Sequence, residues 1–430
     1  MISHTFASTQ HSNVLKCVGS FFTDQACGLR MKILVAHNRY LYQGGEDTVV
    51  DAEVNLLRQR GHQVWVYSRD NTEIKYLTSI KAAKTTFWSG QTVQELQKIH
   101  QQFSPDLIHA HNTFPLISPS LYGVAQKLRI PVVQTLHNFR LVCPQAMLLR
   151  EGKHCEDCVG KLPWRAIVHR CYRQSFSQTA LTSTMLMLQR MRGVWHQQIS
   201  RFIVLNQLCR EIFSRGGLPA EKLRIKPNFV ESPEEPQWQH RRGGLFIGRL
   251  STEKGIDVLI NALDKLPDQM IDVFGKGPLQ ALVEASPRLR YGGFQSSAVL
   301  RQKLNEAAYL VMPSTGVESF GLVAIEAFAC GTPVIATRHG GLRELIHHGE
   351  NGLLVPPNDA NALASAIAYA ESHPDHMRDM GMAARKNYLA SYTPERNYQQ
   401  LIQIYHEAVD SAPLPLTINL THAETRDSRQ

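Results

Sequence analysis

From residue 31 onward, short apolar runs alternate with stretches whose hydrophobic positions recur every three to four residues. Met31-Lys-Ile-Leu-Val-Ala reads as a strand over 32–36 ending at a polar loop, and residues 47–60 read as an amphipathic helix. Further strands are predicted at 64–67, 107–110 and 131–136, with a helix near 119–128 before the last of these. A helical stretch over 175–196 and a strand at 202–205 follow. Residues 231–242, Glu-Ser-Pro-Glu-Glu-Pro-Gln-Trp-Gln-His-Arg-Arg, are charged and Pro-rich and read as a linker. The alternation then resumes, with strands at 245–247, 271–274, 310–312, 334–336 and 353–355 and a helix from about Gly255. Strands alternating with helices predict parallel sheets covered on both faces. The expected fold class is therefore α/β: two doubly wound parallel-sheet domains, residues 31–230 and 243–385, facing a cleft. Ligands in such folds sit beyond the carboxyl ends of the strands. A helix over about 394–410 is expected to pack back on the first domain. Residues 1–30 are polar and aperiodic and read as a poorly ordered extension ahead of Met31, an alternative start. Residues 411–430 read as a disordered tail.

Composition narrows the function classes. With 430 residues, 43% hydrophobic and 19% charged, the chain has material for two or three cores at roughly 150 residues per domain, and disorder is excluded. No apolar run approaches the roughly 18 residues of a membrane span. Residues 1–30 lack the charged and apolar regions of a secretion signal, and eight cysteines are too few for a disulfide scaffold, so the expected compartment is the cytoplasm. The net charge is +9, and residues 153–226 carry that whole excess, with 13 basic against 4 acidic side chains. Such a segment either attracts phosphate-rich partners or anionic lipid, or is a solvated face. Within it, Leu181, Met185, Leu188, Met191 and Trp195 recur at helical spacing beside Arg190 and Arg192. That stripe either packs inside the first domain or lies on an anionic membrane. No zinc-finger helix or aromatic stacking motif accompanies the charge, which argues against a nucleic-acid-binding protein.

Candidate chemistry concentrates in the second half. In Pro313-Ser-Thr-Gly-Val-Glu318-Ser319-Phe320-Gly321-Leu322-Val-Ala-Ile-Glu326, directly after a strand, Ser319 to Leu322 open a helix whose unpaired amides suit a diphosphate, and Gly321 allows close approach. Glu318 is expected in the loop facing the cleft. Glu326, two turns into an apolar helix, needs a partner such as a sugar or ribose diol, because an unpaired buried carboxylate is costly. Arg249 and Lys254, in Gly248-Arg249-Leu-Ser-Thr-Glu-Lys254-Gly255, can point at one anionic group. Gly275-Lys276-Gly277-Pro278 is a Gly-rich turn that serves either packing or binding.

Taken in order, Gly-Arg-x4-Lys-Gly, Gly-x-Gly-Pro, Glu-x7-Glu around Ser-Phe-Gly-Leu, and Cys-Gly-Thr-Pro-Val-Ile-Ala-Thr-x2-Gly-Gly resemble the donor-binding half of a family 4 retaining glycosyltransferase of GT-B fold. The likeness extends over residues 31 to about 410. It implies two Rossmann-like domains and a nucleotide-diphosphate sugar as donor. Arg249 and Lys254 would hold the diphosphate, Glu326 the ribose, and Glu318 the transferred sugar, with Ser319, Phe320, Gly321 and Leu322 offering amides. Gly248, Gly275 and Gly277 would border the same donor. Two positions depart from the pattern: Lys276 stands where an acidic residue is common, and Leu342 where Pro is common.

In the first half, Gln43-Gly44-Gly45-Glu46-Asp47 precedes a helix, so Gly44 and Gly45 either bring bare amides to the cleft or form a structural turn. His137 ends a strand in Thr-Leu-His-Asn-Phe, and the resemblance assigns it to a sugar hydroxyl or the acceptor. His109 and His111, at alternate positions of one strand, read first as satisfied structural histidines. Cleavage of the anomeric C–O bond puts negative charge on the departing diphosphate. Arg249, Lys254 and the helix amides would stabilise it without a divalent metal. Glu318 is the sequence candidate for a covalent nucleophile, but the favoured route is same-face attack with Glu318 orienting donor hydroxyls. The expected acceptor is a glycan or lipid-linked saccharide of surface polysaccharide assembly. A sugar-nucleotide epimerase of the same double fold is the competing enzyme reading.

Four of the eight cysteines, Cys143, Cys155, Cys158 and Cys171, are spaced Cys-x11-Cys-x2-Cys-x12-Cys. In a cytoplasmic chain this spacing fits a structural zinc site better than disulfides. The alternatives are four unrelated thiols or a redox pair at Cys155 and Cys158.

Overall fold

The computed structural model describes residues 30–411 apart from 42–43 and 233–234. The expected N-terminal extension and C-terminal tail lie outside the described residues, as does Gln43. The first sheet contains β1 (Lys32–Arg39), β2 (Gln63–Asp70), β3 (Leu107–Ala110), β4 (Val132–Thr135), β7 (Arg201–Val204) and β8 (Leu223–Ile225), in the order β2-β1-β3-β4-β7-β8. Between β4 and β7, β5 (Leu149–Arg150) and β6 (Lys153–His154) form a separate antiparallel hairpin. The second sheet contains β9 (Gly244–Ile247), β10 (Ile271–Phe274), β11 (Leu289–Tyr291), β12 (Tyr309–Met312), β13 (Val334–Thr337) and β14 (Gly352–Val355). Its order is β11-β10-β9-β12-β13-β14, the doubly wound arrangement with a switch point between β9 and β12. Strand pairing within both sheets is parallel.

Helices cover both faces of each sheet, so β3, β4, β9, β12 and β13 are buried at every position. Accordingly β9 and β12 are continuous apolar runs and β13 is apolar up to Thr337, while β3 and β4 bury His109, Gln134 and Thr135, of which His109 and Thr135 bond each other. The edge strand β2 alternates, with Trp65 half exposed, and extends past its predicted end on both sides. The predicted helix at 175–196 is two helices, Phe176–Met191 and Val194–Gln197, broken where Gly193 takes φ +66°. Its apolar stripe is split: Met185 and Trp195 are buried in the first core, whereas Met191 is exposed.

Residues 231–242 are not a loose connector where they are described. Trp238 lies against Gly331, and Arg241 donates to Thr332 Oγ1 at 2.6 Å while stacking 5.6 Å from the Trp238 ring. The helix Pro374–Ser391 packs Met377, Met380 and Tyr388 into the second-domain cores. Beyond it, the helix Pro394–Asp410 crosses back, burying Leu401, Ile404, Tyr405 and Ala408 with Ile33, Val35 and Ile203. Burial of each large apolar side chain there contributes about 1.5–3 kcal/mol. Among the described residues, no helix is long and apolar enough to cross a membrane.

Candidate active site

Three loops meet beyond the carboxyl ends of β9, β10 and β12, at the switch point of the second sheet. The Gly248 amide donates to Phe274 O and the Leu250 amide to Lys276 O, both at 3.0 Å, which ties the loop after β9 to the one after β10. The amides of Thr315 and Gly316 both donate to Glu253 O at 3.0 Å, tying it to the loop after β12. Gly275, at φ +147°, lies so close to Gly248 O that a Cβ would fall 1.8 Å from it. A Cβ on Gly277 would fall 2.2 Å from Leu250 O. The bare backbone at both glycines is thus required by loop packing. Lys276 does not enter the loop junction through its ammonium, which lies 5.0 Å over the Phe294 ring.

This junction brings Lys254 Nζ to 2.5 Å from Glu318 Oε1, which also accepts from Ser314 Oγ at 2.8 Å. Burial opposes ionisation of Glu318, but the Lys254 charge and the two hydrogen bonds outweigh it and hold the carboxyl below its usual range. The Arg249 side chain is 66% exposed, and among the described residues its ion-pair partner is Glu253 at 3.9 Å, so it remains available to a ligand. The helix Leu322–Ala329 starts at Gly321, whose φ of +102° turns the chain into it, and Leu342 packs against that glycine where a Cβ would fall 2.6 Å from Cδ2. The amides of Leu322 and Val323 open the helix and have no intrahelical acceptor. Phe320 is buried and lies 6.0 Å from the Tyr392 ring, which makes its side chain a core element. Glu326 is half-buried, and among the described residues its carboxylate accepts no hydrogen bond. Burial pushes it up to about 7, offset only in part by Arg301.

The first domain closes on this loop. Ser319 Oγ donates to His137 O at 2.7 Å, and Asn206 Nδ2 donates to Ser319 O at 2.7 Å. Both Glu344 carboxylate oxygens accept from the first helix turn of Gln207–Arg215, from the Gln207 amide at 3.0 Å and the Leu208 amide at 2.6 Å. A Cβ on Gly45 would touch Leu322 Cδ2 at 3.4 Å. The Gly44 amide is occupied, donating to Asp47 Oδ2 at 3.0 Å, so of the two glycines Gly45 keeps the freer amide at the start of the helix Gly45–Gln59. A cavity of about 450 Å³ at the junction shares Asn206, Gln207 and Glu344 with these contacts, but Arg249, Lys254, Glu318 and Glu326 do not line it.

Behind the cleft lies a buried histidine cluster. His137 Nε2 is 3.0 Å from His111 Nδ1, and the rings stack at 5.3 Å. Burial, then the neighbouring charges, pushes both imidazoles well down, so they are neutral at physiological pH. His109 bonds Thr135 Oγ1 at 2.8 Å and the Tyr405 hydroxyl at 2.7 Å and is pushed down to about 4 by burial, a satisfied structural histidine. Glu53, His109 and His111 have donor atoms within 4.8 Å of one another. Lys226, fully buried, already pairs with Glu53, which leaves little reason for a second cation there.

The sequence reading missed several of these groups. Tyr40 donates to Glu46 Oε2 at 2.7 Å, with Asn138 Nδ2 at 3.4 Å from the same oxygen, and burial raises the Glu46 carboxyl. Glu46 and Asn138 stand beside Gly45 and His137 in runs already singled out, so adjacency was the available signal. Ser314, inside the run from Pro313 to Glu326, carried the same signal, and Glu344 carried none. Cys143, Cys155, Cys158 and Cys171 are free thiols lining one small cavity.

Comparison with known proteins agrees with this architecture. The profile for Glycosyltransferase Family 4 matches residues 43–232, and that for Glycosyl transferases group 1 matches residues 235–387. An uncharacterised glycosyltransferase of Methanocaldococcus jannaschii is 24% identical over 400 residues, 88% of this chain and 99% of the relative. Among solved structures, sucrose-phosphate synthase from Thermosynechococcus elongatus superposes with a TM-score of 0.68 at 22% identity, covering 88% of this chain and 99% of that one. Anabaena HepE, solved in complex with UDP, superposes at 0.60 and 19% identity, covering 87% and 99%. With two matched domains in order and two doubly wound sheets closing on one cleft, the chain belongs to the family 4 (group 1) glycosyltransferases of GT-B fold.

Proposed function

We propose that this glycosyltransferase is a retaining enzyme that moves a sugar from a nucleotide diphosphate to a glycan or lipid-linked acceptor in surface polysaccharide assembly. The observation that carries the proposal is the hydrogen-bonded junction of the loops after β9, β10 and β12 at the switch point, where Lys254 pairs with Glu318 beside Ser314, and Ser319, just ahead of the helix start at Leu322, donates to His137 O. The nucleotide complex of HepE on the same fold supports a nucleotide-sugar donor.

In this reading the diphosphate lies against Arg249, Lys254 and the amides of Leu322 and Val323, and the ribose diol reaches Glu326. Glu318 accepts from hydroxyls of the transferred sugar. As the anomeric C–O bond breaks, its electron pair passes to the β-phosphate oxygen, where fixed cations and amides stabilise the charge. The acceptor hydroxyl attacks the same face and passes its proton to the departing phosphate. Neutral His137, with Glu46 and Asn138 beside it, positions the acceptor side. No divalent metal is needed for these steps.

A peripheral, cytoplasmic-side contact with anionic membrane completes the proposal. Its support is the exposed Leu162, Trp164, Val168 and Phe176, interleaved with Lys161, Arg165, Arg170 and Arg173. This surface is not the stripe expected from the helix periodicity.

The test is release of nucleoside diphosphate from a panel of nucleotide sugars, with and without acceptor. Arg249→Ala is expected to depress kcat, and Glu326→Ala to raise donor KM. Epimerised sugar nucleotide appearing without diphosphate release would refute transfer.

A further inference from the structure

Residues 139–175 carry the chain from His137 to the helix Phe176–Met191 with little regular structure. The elements within it are the two-residue strands β5 and β6 and the five-residue helix Trp164–Val168. Ala146, Leu148, Glu151, Arg170, Arg173 and Gln174 all take positive φ, a region that L-residues enter at a cost. Phe139, Leu141, Val142, Leu148 and Val159 anchor parts of the segment in the first core, but long connections with so little regular structure are uncommon in a compact domain.

Cys143, Cys155, Cys158 and Cys171 come from three separate turns of that segment, and all four line one cavity of about 20 Å³, room for a single water-sized body. We propose that this cavity is a structural zinc site, with the four cysteines as its ligands. One Cys-x2-Cys turn supplies two sulfurs and the flanking turns one each, the composition of a closed tetrahedral site. A zinc ion with four thiolates carries two negative charges, and Arg150 and Arg165 line the same cavity. Asp157, which lines the cavity as well, pairs with both, 2.7 Å from Arg150 and 3.7 Å from Arg165, and leaves the wall one net positive charge. Among the described residues no three of these sulfurs group within 4.8 Å of one another, so ligation would require the cysteine side chains to turn inward.

The site would fasten a wall of the cleft. The Cys143 amide donates to Phe139 O at 2.8 Å, within one turn of His137 and Asn138. At the hairpin, the His154 ring meets that of His339 edge-on at 5.3 Å. His339 precedes Gly340 and Gly341, and the Gly341 amide donates to Glu318 O at 2.7 Å.

The experiment is elemental analysis of the full chain purified without chelator, with about one zinc per chain expected. Titrating the thiols with an organomercurial should release that zinc to a metallochromic indicator. Cobalt(II)-substituted protein should show the intense visible bands of tetrahedral thiolate ligation. Cys155→Ser and Cys171→Ser should lose the metal, and Cys330→Ser, at a thiol in the other domain, should keep it. Because a ligand variant can fail to fold, the wild-type readings decide on their own. Zinc below about 0.2 per chain after growth with added zinc overturns the proposal. So does zinc retained by both ligand variants, or a Cys155–Cys158 disulfide found by mass in its place.

Discussion

Removing Lys254 tests the site most sharply, because its ammonium serves two partners in the proposed reaction. In the free site it offsets the burial of Glu318, whose side chain is 16% exposed against 31% for Lys254. Breaking a fully buried pair costs about 3–5 kcal/mol. Partial exposure and the remaining bond from Ser314 reduce that to about 1–3 kcal/mol for Lys254→Met. Loss of one fixed charge at the leaving group should lower kcat by about 10²–10³, or about 2.7–4 kcal/mol. A double-mutant cycle with Glu318→Gln separates the two effects. If Lys254 only steadied Glu318, adding Lys254→Met to Glu318→Gln would cost nothing further. If it also meets the diphosphate, the second substitution still costs at least about tenfold, about 1.4 kcal/mol. The assay is initial-rate donor hydrolysis and transfer, with calorimetric unfolding beside it. The Glu318 carboxyl is held low in the fold, so its contribution to stability is present above its unfolded range near about 4.3 and is lost as pH falls through the lower folded value. Lys254→Met should abolish that acid-side loss. A double variant as active as Glu318→Gln alone, or Lys254→Met within about twofold of wild type in kcat, would refute the shared role.

Glu326, held up to about 7 by burial, should give a donor kcat/KM that rises as pH passes through that value, and Glu326→Gln should flatten the profile. The same raised value favours the neutral form in the fold. Wild-type stability attributable to this group should therefore fall as pH rises from the unfolded range through about 7, and thermal unfolding on either side of 7 checks the sign. Glu344→Gln should weaken the cap that joins the two domains by about 0.5–2 kcal/mol and enlarge the radius of gyration measured by X-ray scattering. Leu401→Ala, in the helix that returns to the first sheet, should cost about 2–5 kcal/mol in urea unfolding.

The central strands were legible as sequence because a parallel sheet covered on both faces needs short, mostly apolar runs; β3 and β10 lie where the pattern put them, each with one polar residue, His109 and Asp272. Helix starts beside Gly and Pro were legible for the same local reason. The three-residue strands β8 and β11 were not, being too short to carry a period, and neither was the break at Gly193 inside an apparently continuous helix. Spacing singled out Arg249, Lys254 and Glu318 in strand-end segments and Glu326 in the helix Leu322–Ala329 that follows. Spacing did not assign partners. Lys226 pairs with Glu53 across 173 positions, Ser319 bonds to His137 O across 182, and Glu344 caps a helix 136 residues away. The sequence by itself determined which short-range elements form and which residue types their ends present. Only the tertiary structure decided which ends share a crevice, which glycines are needed for packing, and which carboxylates keep or lose their charge. Local propensity acts over a few residues, whereas burial and electrostatic pairing depend on where distant segments come to rest.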